Sequence, residues 1–141
     1  IKSNKLLVPD DAVLLSKLNP RWNRVWLPST RASGTCITST EFLPWVPKGY
    51  MTRNFLYWMM QSRPFRWSMT SRLTGTTNSH QRVQPTDCES IPVILPSEEA
   101  VDSFEQLLSP LMGKLRHASI MAENLRQLRK DALSRLAKTL E

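Results

Sequence analysis

The sequence predicts an α+β fold, with a small mixed domain over residues 1–96 and a long projecting C-terminal helix over residues 97–141. Short apolar runs between proline-containing turns indicate strands in the first part. In the last third, apolar residues recur every three or four positions, which is typical of a helix. A chain of 141 residues with 40% hydrophobic and 22% charged residues has the composition of a globular domain with an appendage.

The first strand signal is the apolar run Ala12-Val13-Leu14-Leu15, which follows the turn-forming residues Pro9-Asp10-Asp11. This pattern predicts a buried strand. Residues 19–24, opened by Asn-Pro, are predicted to form a loop, and Val25-Trp26-Leu27 a second short strand. Ser29 to Gly34 is predicted to be another loop.

Two further strands and a loop are predicted later in the domain. Residues 35–46 favour one strand because β-branched residues dominate there. Residues 74–82 are polar and predict a loop. Ile91 to Pro96 predicts an edge strand or an irregular one, since its two prolines cannot donate ladder hydrogen bonds.

Two short helices are predicted between these strands. Thr52 to Gln61 contains no helix breaker and places Phe55 and Met59 at i, i+4 spacing, so an amphipathic helix is expected there. It should end near Arg63-Pro64, because a residue before proline avoids the helical conformation. Phe65 to Leu73 predicts a second short helix.

The C-terminal helix should begin at Ser97, an N-cap residue followed by the first-turn acids Glu98 and Glu99. Pro110 predicts a break or kink. A helix from Pro110 to Leu140 would span about 46 Å at about 1.5 Å per residue. Because a domain of this size cannot bury that length, we expect the helix to project and pack against another helix as a coiled coil. The alternative is a helix folded back on its own domain.

The net positive charge of the chain comes entirely from residues 1–96. The formal net charge is +7, and residues 97–141 contribute none of it. Between Lys17 and Arg82 lie ten basic residues, one acid (Glu41) and all five tryptophans. Basic residues interleaved with aromatic ones are typical of nucleic-acid-binding surfaces. Charge alone would also fit another polyanion or a solvated basic surface around an aromatic core.

Residues suited to catalysis are sparse. The only histidines, His80 and His117, show no metal-ligand spacing with Cys36 or Cys88. No serine lies in a Gly-x-Ser-x-Gly turn. We therefore expect a chain without catalytic residues, bound metal or cofactor. No apolar run is long enough for a transmembrane helix, and two cysteines without a disulfide framework favour a reducing compartment.

Five segments, in order along the chain, resemble the specificity subunit of type I restriction–modification enzymes. Each motif is short, but together they cover nearly the whole sequence. The five segments are the strand Val8–Pro20, the strand Ser39–Phe42, the helix Asn54–Met60, the stretch running from Gly75-Thr76 through Arg82-Val83 to Ile91–Pro96, and the helix end Glu123–Leu133. The family carries two recognition domains and two spacer helices, so the resemblance implies the C-terminal half of a longer protein.

The resemblance implies a non-catalytic subunit, in the cytoplasm of a bacterium or archaeon, that reads one half of a bipartite DNA target. Residues 1–96 would be a partial target-recognition domain, and residues 97–141 a spacer and dimerisation helix. The implied partners are double-stranded DNA, methyltransferase subunits, a restriction subunit and the second spacer helix. The complex, rather than this chain, would use S-adenosylmethionine, and ATP with magnesium for restriction.

Candidate contact residues follow from charge, amide groups and helix spacing. The candidates for DNA contact are Lys17, Arg21, Asn23, Arg24, Arg31, Arg53, Arg63, Arg66, Arg72, Asn78, Ser79, His80, Gln81 and Arg82. The candidates for helix pairing or partner docking are Leu111, Leu115, Leu125, Leu128, Arg129 and Leu136. Two other functions stay open: a helical protein-interaction scaffold with a basic anchoring domain, and the specificity region of a fused restriction–methylation polypeptide.

Overall fold

The computed structural model describes residues 4–28, 35–74 and 81–139. Over these ranges the chain forms five short strands and four helices, which confirms the predicted α+β fold with a long C-terminal helix. The predicted loop at residues 29–34 and the middle of the predicted loop at residues 74–82 lie outside the described residues. The chain divides into two compact units, Ile1–Asp102 and Ser103–Glu141.

The central element of the first unit is strand β2, Val13–Ser16, whose four residues are all buried. Strand β2 pairs antiparallel with β3, Val25–Trp26, on one side and with β5, Phe42–Trp45, on the other. The predictions of a buried strand near residues 12–15 and of a short strand at Val25 are therefore confirmed.

Strand β2 contributes to two apolar clusters, one on each face of its sheet. Val13 and Leu15 belong to the larger cluster, whereas Leu14 packs with Val8 and Ala12 in the smaller one. Successive side chains of a strand point to opposite faces, so a strand buried on both faces appears in the sequence as a continuous apolar run. Complete burial of each such side chain contributes about 1.5–3 kcal/mol. The larger cluster also contains Val25, Met60, Phe65, Met69, Val83, Cys88 and Ile91.

A second sheet has two antiparallel strands, β1 at Lys5–Leu7 and β4 at Ile37–Ser39. The prediction of one strand over residues 35–46 is wrong, because the chain turns at Thr40 and Glu41 and places β4 and β5 in different sheets. Strand β1 was not predicted. All three of its residues are exposed, so it lacks the alternation of apolar and polar residues that marks a half-buried strand.

The two short helices are confirmed as α1, Arg53–Gln61, and α2, Arg63–Ser71. The Thr52 hydroxyl caps α1 by accepting a hydrogen bond from the Phe55 N–H at 3.0 Å. The Ser62 hydroxyl caps α2 in the same way from the Phe65 N–H at 3.4 Å. Helix α2 begins earlier than predicted because proline is well accommodated in a first helical turn, where its missing N–H costs nothing.

Residues 85–96 differ from the prediction. A short helix, α3, spans Pro85–Glu89, and no strand forms over the described residues 91–96. The predicted strand at Ile91–Pro96 is therefore wrong, because its two prolines remove backbone donors that a ladder would need. Ile91 instead enters the larger apolar cluster, and the Tyr50 hydroxyl donates a hydrogen bond to the Pro96 carbonyl at 2.9 Å.

Helix α4 spans Glu98–Thr139, 42 residues. The Ser97 hydroxyl accepts from the Ala100 N–H at 3.3 Å, which confirms the predicted N-terminus. Of the break or kink predicted at Pro110, the break does not occur, because the helix is continuous through that residue; the kink stays a prediction. Proline removes one backbone donor, and nearby good helix formers such as Leu108, Leu111 and Met112 favour continuation of the helix. None of the described helices is long and apolar enough to cross a membrane.

Loss of the Thr52 cap should destabilise the first unit. We expect Thr52→Ala to lower the free energy of unfolding by about 1 kcal/mol, because the Phe55 N–H loses its acceptor. Urea denaturation followed by circular dichroism measures this. Thr52→Ser keeps the hydroxyl and should remain close to the parent protein, and an equal loss in both variants would contradict the capping role.

Candidate nucleic-acid interface

The β2–β3 loop, residues 17–24, is fixed at its base by backbone hydrogen bonds. The Ser16 N–H donates to the Arg24 carbonyl at 3.0 Å, and the Trp22 N–H donates to the Asn19 carbonyl at 3.0 Å. Asn19 adopts a φ of 47°, a conformation that asparagine tolerates better than most residues. Pro20 is buried beneath the tip. The loop therefore presents its tip side chains from a defined backbone.

The residues that flank the undescribed range 75–80 are tied to this loop. The Val83 N–H donates to the Lys17 carbonyl at 3.1 Å, and the Asn19 N–H donates to the Gln81 carbonyl at 2.8 Å. Thr74 and Arg82 exchange two backbone hydrogen bonds, of 2.9 and 3.1 Å. The β2–β3 loop and the two ends of the 74–82 segment are thus joined at one place in the fold.

The turn between β4 and β5 completes this junction through Glu41. The Arg82 guanidinium donates two hydrogen bonds to the Glu41 carboxylate, at 3.0 and 3.1 Å. The Lys17 N–H also donates to the Glu41 carbonyl at 3.0 Å. The hydrogen bonds from Arg82 hold the pKa of the Glu41 carboxyl below its ordinary value, and the same pairing raises the pKa of Arg82. The side chain of Arg82, a candidate for DNA contact, is thus engaged within the fold.

Two other candidate arginines are also engaged within the fold. The Arg53 guanidinium donates to the Ala12 carbonyl at 3.2 Å and to the Pro28 carbonyl, so it joins α1 to both ends of the β2–β3 region. Arg72 donates to the Ser68 carbonyl of its own helix at 2.9 Å. Their donors satisfy backbone carbonyls, which gives both arginines a structural role.

Four other candidate arginines present their guanidinium groups to solvent. Arg21 and Arg24 lie at the tip of the β2–β3 loop, and Arg63 and Arg66 lie on α2. Across the described parts of the chain, none of the four side chains has a hydrogen bond or ion pair. These donors therefore remain available to an external acceptor such as a phosphate oxygen or a base edge.

Two tryptophans accompany these arginines. Trp22 at the loop tip is 71% exposed and Trp67 on α2 is 73% exposed. Trp22, Asn23 and Arg24 surround a shallow surface depression together with Arg66, so the loop tip adjoins α2 at that residue. We call this set the arginine–tryptophan surface. It consists of Arg21, Trp22, Asn23, Arg24, Arg63, Arg66 and Trp67.

The arginine–tryptophan surface suits a nucleic acid in three ways. Guanidinium groups bind phosphate oxygens, a carboxamide pairs with a base edge, and indole rings stack on bases or pack on sugars. The candidates for DNA contact were all charged or polar side chains, so Trp22 and Trp67 were not among them. The clustering of all five tryptophans within the basic stretch was the available signal, but it does not tell which of them are exposed.

The remaining DNA-contact candidates occupy two kinds of position. Lys17 and Gln81 are partly buried at the base of the two loops. The other four candidates, Arg31, Asn78, Ser79 and His80, lie outside the described residues.

The second unit carries the candidates for helix pairing on α4. All six are exposed: Leu111, Leu115, Leu125, Leu128, Arg129 and Leu136. Arg126 pairs with Glu123 of the same helix at 2.8 Å, an interaction across one helical turn. Exposed leucines along a helix favour a protein partner, and coiled-coil pairing stays a prediction.

Other features of the first unit fit a polyanion poorly. A cavity of about 190 Å³ lies beside α1, with a lining that includes Phe55, Met59 and Ile91 and is almost entirely apolar. Cys88 is buried, its thiol 3.6 Å from the Met69 sulfur, and burial raises the pKa of that thiol to about 11. Among the described residues, no group of three or more His, Cys, Asp or Glu could hold a metal ion.

Comparison with known proteins leaves the family unassigned. Scanned against protein-family models, the chain matches none, and a search of the curated proteins finds no match. The resemblance carried by the five sequence segments therefore stays a prediction.

The Glu41–Arg82 pair predicts a defined dependence of stability on pH. The folded-state pKa of Glu41 is lowered, so its stabilising contribution is present above the ordinary glutamate pKa of 4.5 and is lost as pH falls through the folded-state value. We expect Glu41→Gln to lose less thermal stability than the parent protein between about pH 6 and about pH 3, because this range extends from above 4.5 to well below it.

Calorimetry at the two pH values checks this, with Glu89→Gln as the control because Glu89 is exposed. If stability depends on pH in the same way in the parent protein and in Glu41→Gln, folding does not stabilise the ionised Glu41 carboxylate, and the prediction is contradicted.

Cys88 should be chemically inert in the folded protein. With a pKa of about 11, about one thiol in a thousand is ionised at pH 8, and thiolate is the reactive form. In a Cys36→Ser background, we expect Ellman's reagent to label Cys88 rapidly only after unfolding in guanidinium chloride. Rapid labelling of the folded protein would contradict its burial.

Proposed function

We propose that this chain is the sequence-specific DNA-recognition subunit of a type I restriction–modification complex and reads one half of a bipartite target. The observation that carries the proposal is the arginine–tryptophan surface, in which the β2–β3 loop and α2 expose four guanidinium groups without partners in the described structure and two indoles. When guanidinium groups neutralise phosphates, counterions condensed on the DNA are released, and this release supplies much of the affinity of a protein for DNA.

A fixed backbone beneath this surface favours sequence-specific recognition over non-specific electrostatic binding. Base readout requires a side chain to be held in a defined position, whereas phosphate contacts tolerate a mobile one. The β2–β3 loop has that fixed backbone, since its base is bonded to Gln81 and Val83 as well as to its own strands. Together with the five sequence segments, this supports a DNA-reading role.

Helix α4 would be the element for protein partners. Residues 97–141 have no net charge, so they are poorly suited to a polyanion, and their exposed leucines suit another helix. In the proposed complex these partners are a second spacer helix, methyltransferase subunits and a restriction subunit. S-adenosylmethionine, and ATP with magnesium, would be bound by those subunits, in the cytoplasm of a bacterium or archaeon.

The exposed leucines also favour a second function, that of a helical interaction scaffold which the basic domain merely anchors. In that case the arginine–tryptophan surface could be altered without loss of function. A fused restriction–methylation polypeptide would contain the same recognition domain, and the full-length reading frame distinguishes it.

The proposal is tested on the complex purified with its natural partners. Methylome sequencing of cells with and without the gene identifies the methylated target, and fluorescence anisotropy then compares that duplex with a scrambled one. We expect the target to bind at least about 1,000-fold more tightly. Equal affinity for both duplexes would overturn the proposed function.

Charge reversal on α2 separates DNA recognition from the scaffold function. Arg66→Glu should weaken DNA binding at least about tenfold, because a phosphate contact is replaced by repulsion. Lys48→Glu makes the same charge change at an exposed residue outside the arginine–tryptophan surface and should have a much smaller effect. If Arg66→Glu keeps both its partners and full restriction activity, the scaffold function is favoured instead.

A further inference from the structure

The arginine–tryptophan surface has two parts with different physical properties. The tip of the β2–β3 loop, Arg21–Arg24, is a short segment on a backbone fixed at both ends. The exposed face of α2 carries Arg63, Arg66 and Trp67 at i, i+3 and i+4, with two long flexible guanidinium side chains. A fixed segment and a flexible pair of charges suit different contacts with a duplex.

Asn23 is the residue of the tip best suited to reading a base. It is partly buried, unlike Arg21, Trp22 and Arg24, which are exposed. Partial burial restricts where its carboxamide can be. Within the described residues that carboxamide has no hydrogen-bond partner, so its N–H donors and its carbonyl acceptor are unused. A carboxamide offers the donor and acceptor that adenine N7 and N6 require in the major groove.

Arg66 is placed to contact the same duplex. It lines the depression shared by Trp22, Asn23 and Arg24, so a duplex bound at Asn23 would lie close to Arg66 as well. Arg66 lies on a helix surface rather than on the loop. Its long side chain can follow a phosphate without fixing which base is present, and the exposed Trp22 indole supplies an apolar contact to a sugar or a thymine methyl.

We propose that the tip of the β2–β3 loop enters the major groove, that Asn23 reads the N6/N7 edge of one adenine there, and that Arg66 contacts the adjoining phosphate backbone. This inference rests on the proposed function and assigns specificity to the loop and affinity to the helix. Asn23 thereby becomes a specificity-determining residue, whereas Arg66 acts on all sequences alike.

The first test uses the unaltered complex and modified DNA. Each adenine of the target is replaced in turn by 7-deazaadenine, which lacks the N7 acceptor but keeps Watson–Crick pairing. One position should lower the affinity by about 5- to 150-fold, as measured by fluorescence anisotropy. If no adenine shows this loss in a complex that still distinguishes the target from scrambled DNA, the reading of adenine is overturned while the proposed function stands.

The second test assigns that adenine to Asn23. Asn23→Ala should bind the target about 5- to 150-fold more weakly and should no longer distinguish adenine from 7-deazaadenine at that one position. Gln84→Ala removes an exposed carboxamide elsewhere in the first unit and should behave like the parent protein. If Asn23→Ala still discriminates against 7-deazaadenine, another residue reads the adenine.

The third test concerns Arg66. Arg66→Gln should weaken binding to target and scrambled duplexes by the same factor and reduce the slope of log affinity against log salt by about one. A change confined to the target would make Arg66 a base contact and overturn its assignment. Equal affinity of the unaltered complex for target and scrambled DNA would instead overturn the proposed function itself.

Discussion

Burial of strand β2 on both faces is the constraint on which the first unit depends. Val13 and Leu15 pack against one cluster of apolar residues and Leu14 against another, on the opposite face. The sheet that contains β2 cannot bury both of its own faces, so other elements must pack against each of them. Helices α1, α2 and α3 contribute Met60, Phe65, Met69 and Cys88 to the cluster on one face. Since the β2–β3 loop continues directly from this strand, a fully buried element of the unit also fixes the start of the segment proposed to contact DNA.

The arginines divide between two roles according to what lies beside them. Arg53 donates hydrogen bonds to two backbone carbonyls and Arg82 donates to the Glu41 carboxylate. Both arginines thereby join segments that are distant in sequence. Glu41 is neutralised by Arg82, so the only acid of the basic stretch does not weaken the positive field at the arginine–tryptophan surface. The ion pair therefore contributes to architecture and to electrostatics at once, although a solvent-accessible pair of this kind adds only a modest amount to global stability.

Elements with strong local signals could be predicted from the sequence. Local sequence alone predicts β2 from its apolar run, α1 from its cap and periodicity, and the start of α4 from the acids after Ser97. Elements defined by tertiary partners could not: β1 exists because β4 lies beside it, and the turn at Thr40 separates two strands that look continuous. The same limit applied to the site. Sequence selected Arg66 and Arg82 on equal terms, whereas only the fold shows that Glu41 occupies one of them and that Trp22 lies beside the other.

The hydrogen bonds that fix the base of the β2–β3 loop are mainly between backbone groups, with one from the Ser16 hydroxyl to the Leu18 carbonyl at 3.3 Å. Backbone bonds do not depend on which side chains the tip carries, provided that Pro20 and the unusual conformation of Asn19 are kept. Substitutions at Arg21, Trp22, Asn23 or Arg24 can thus accumulate without loss of the loop geometry or of the core beneath it. The fold separates the residues that stabilise the loop from those exposed at its tip, so under the proposed function a few substitutions at this one turn would change which DNA sequence is bound.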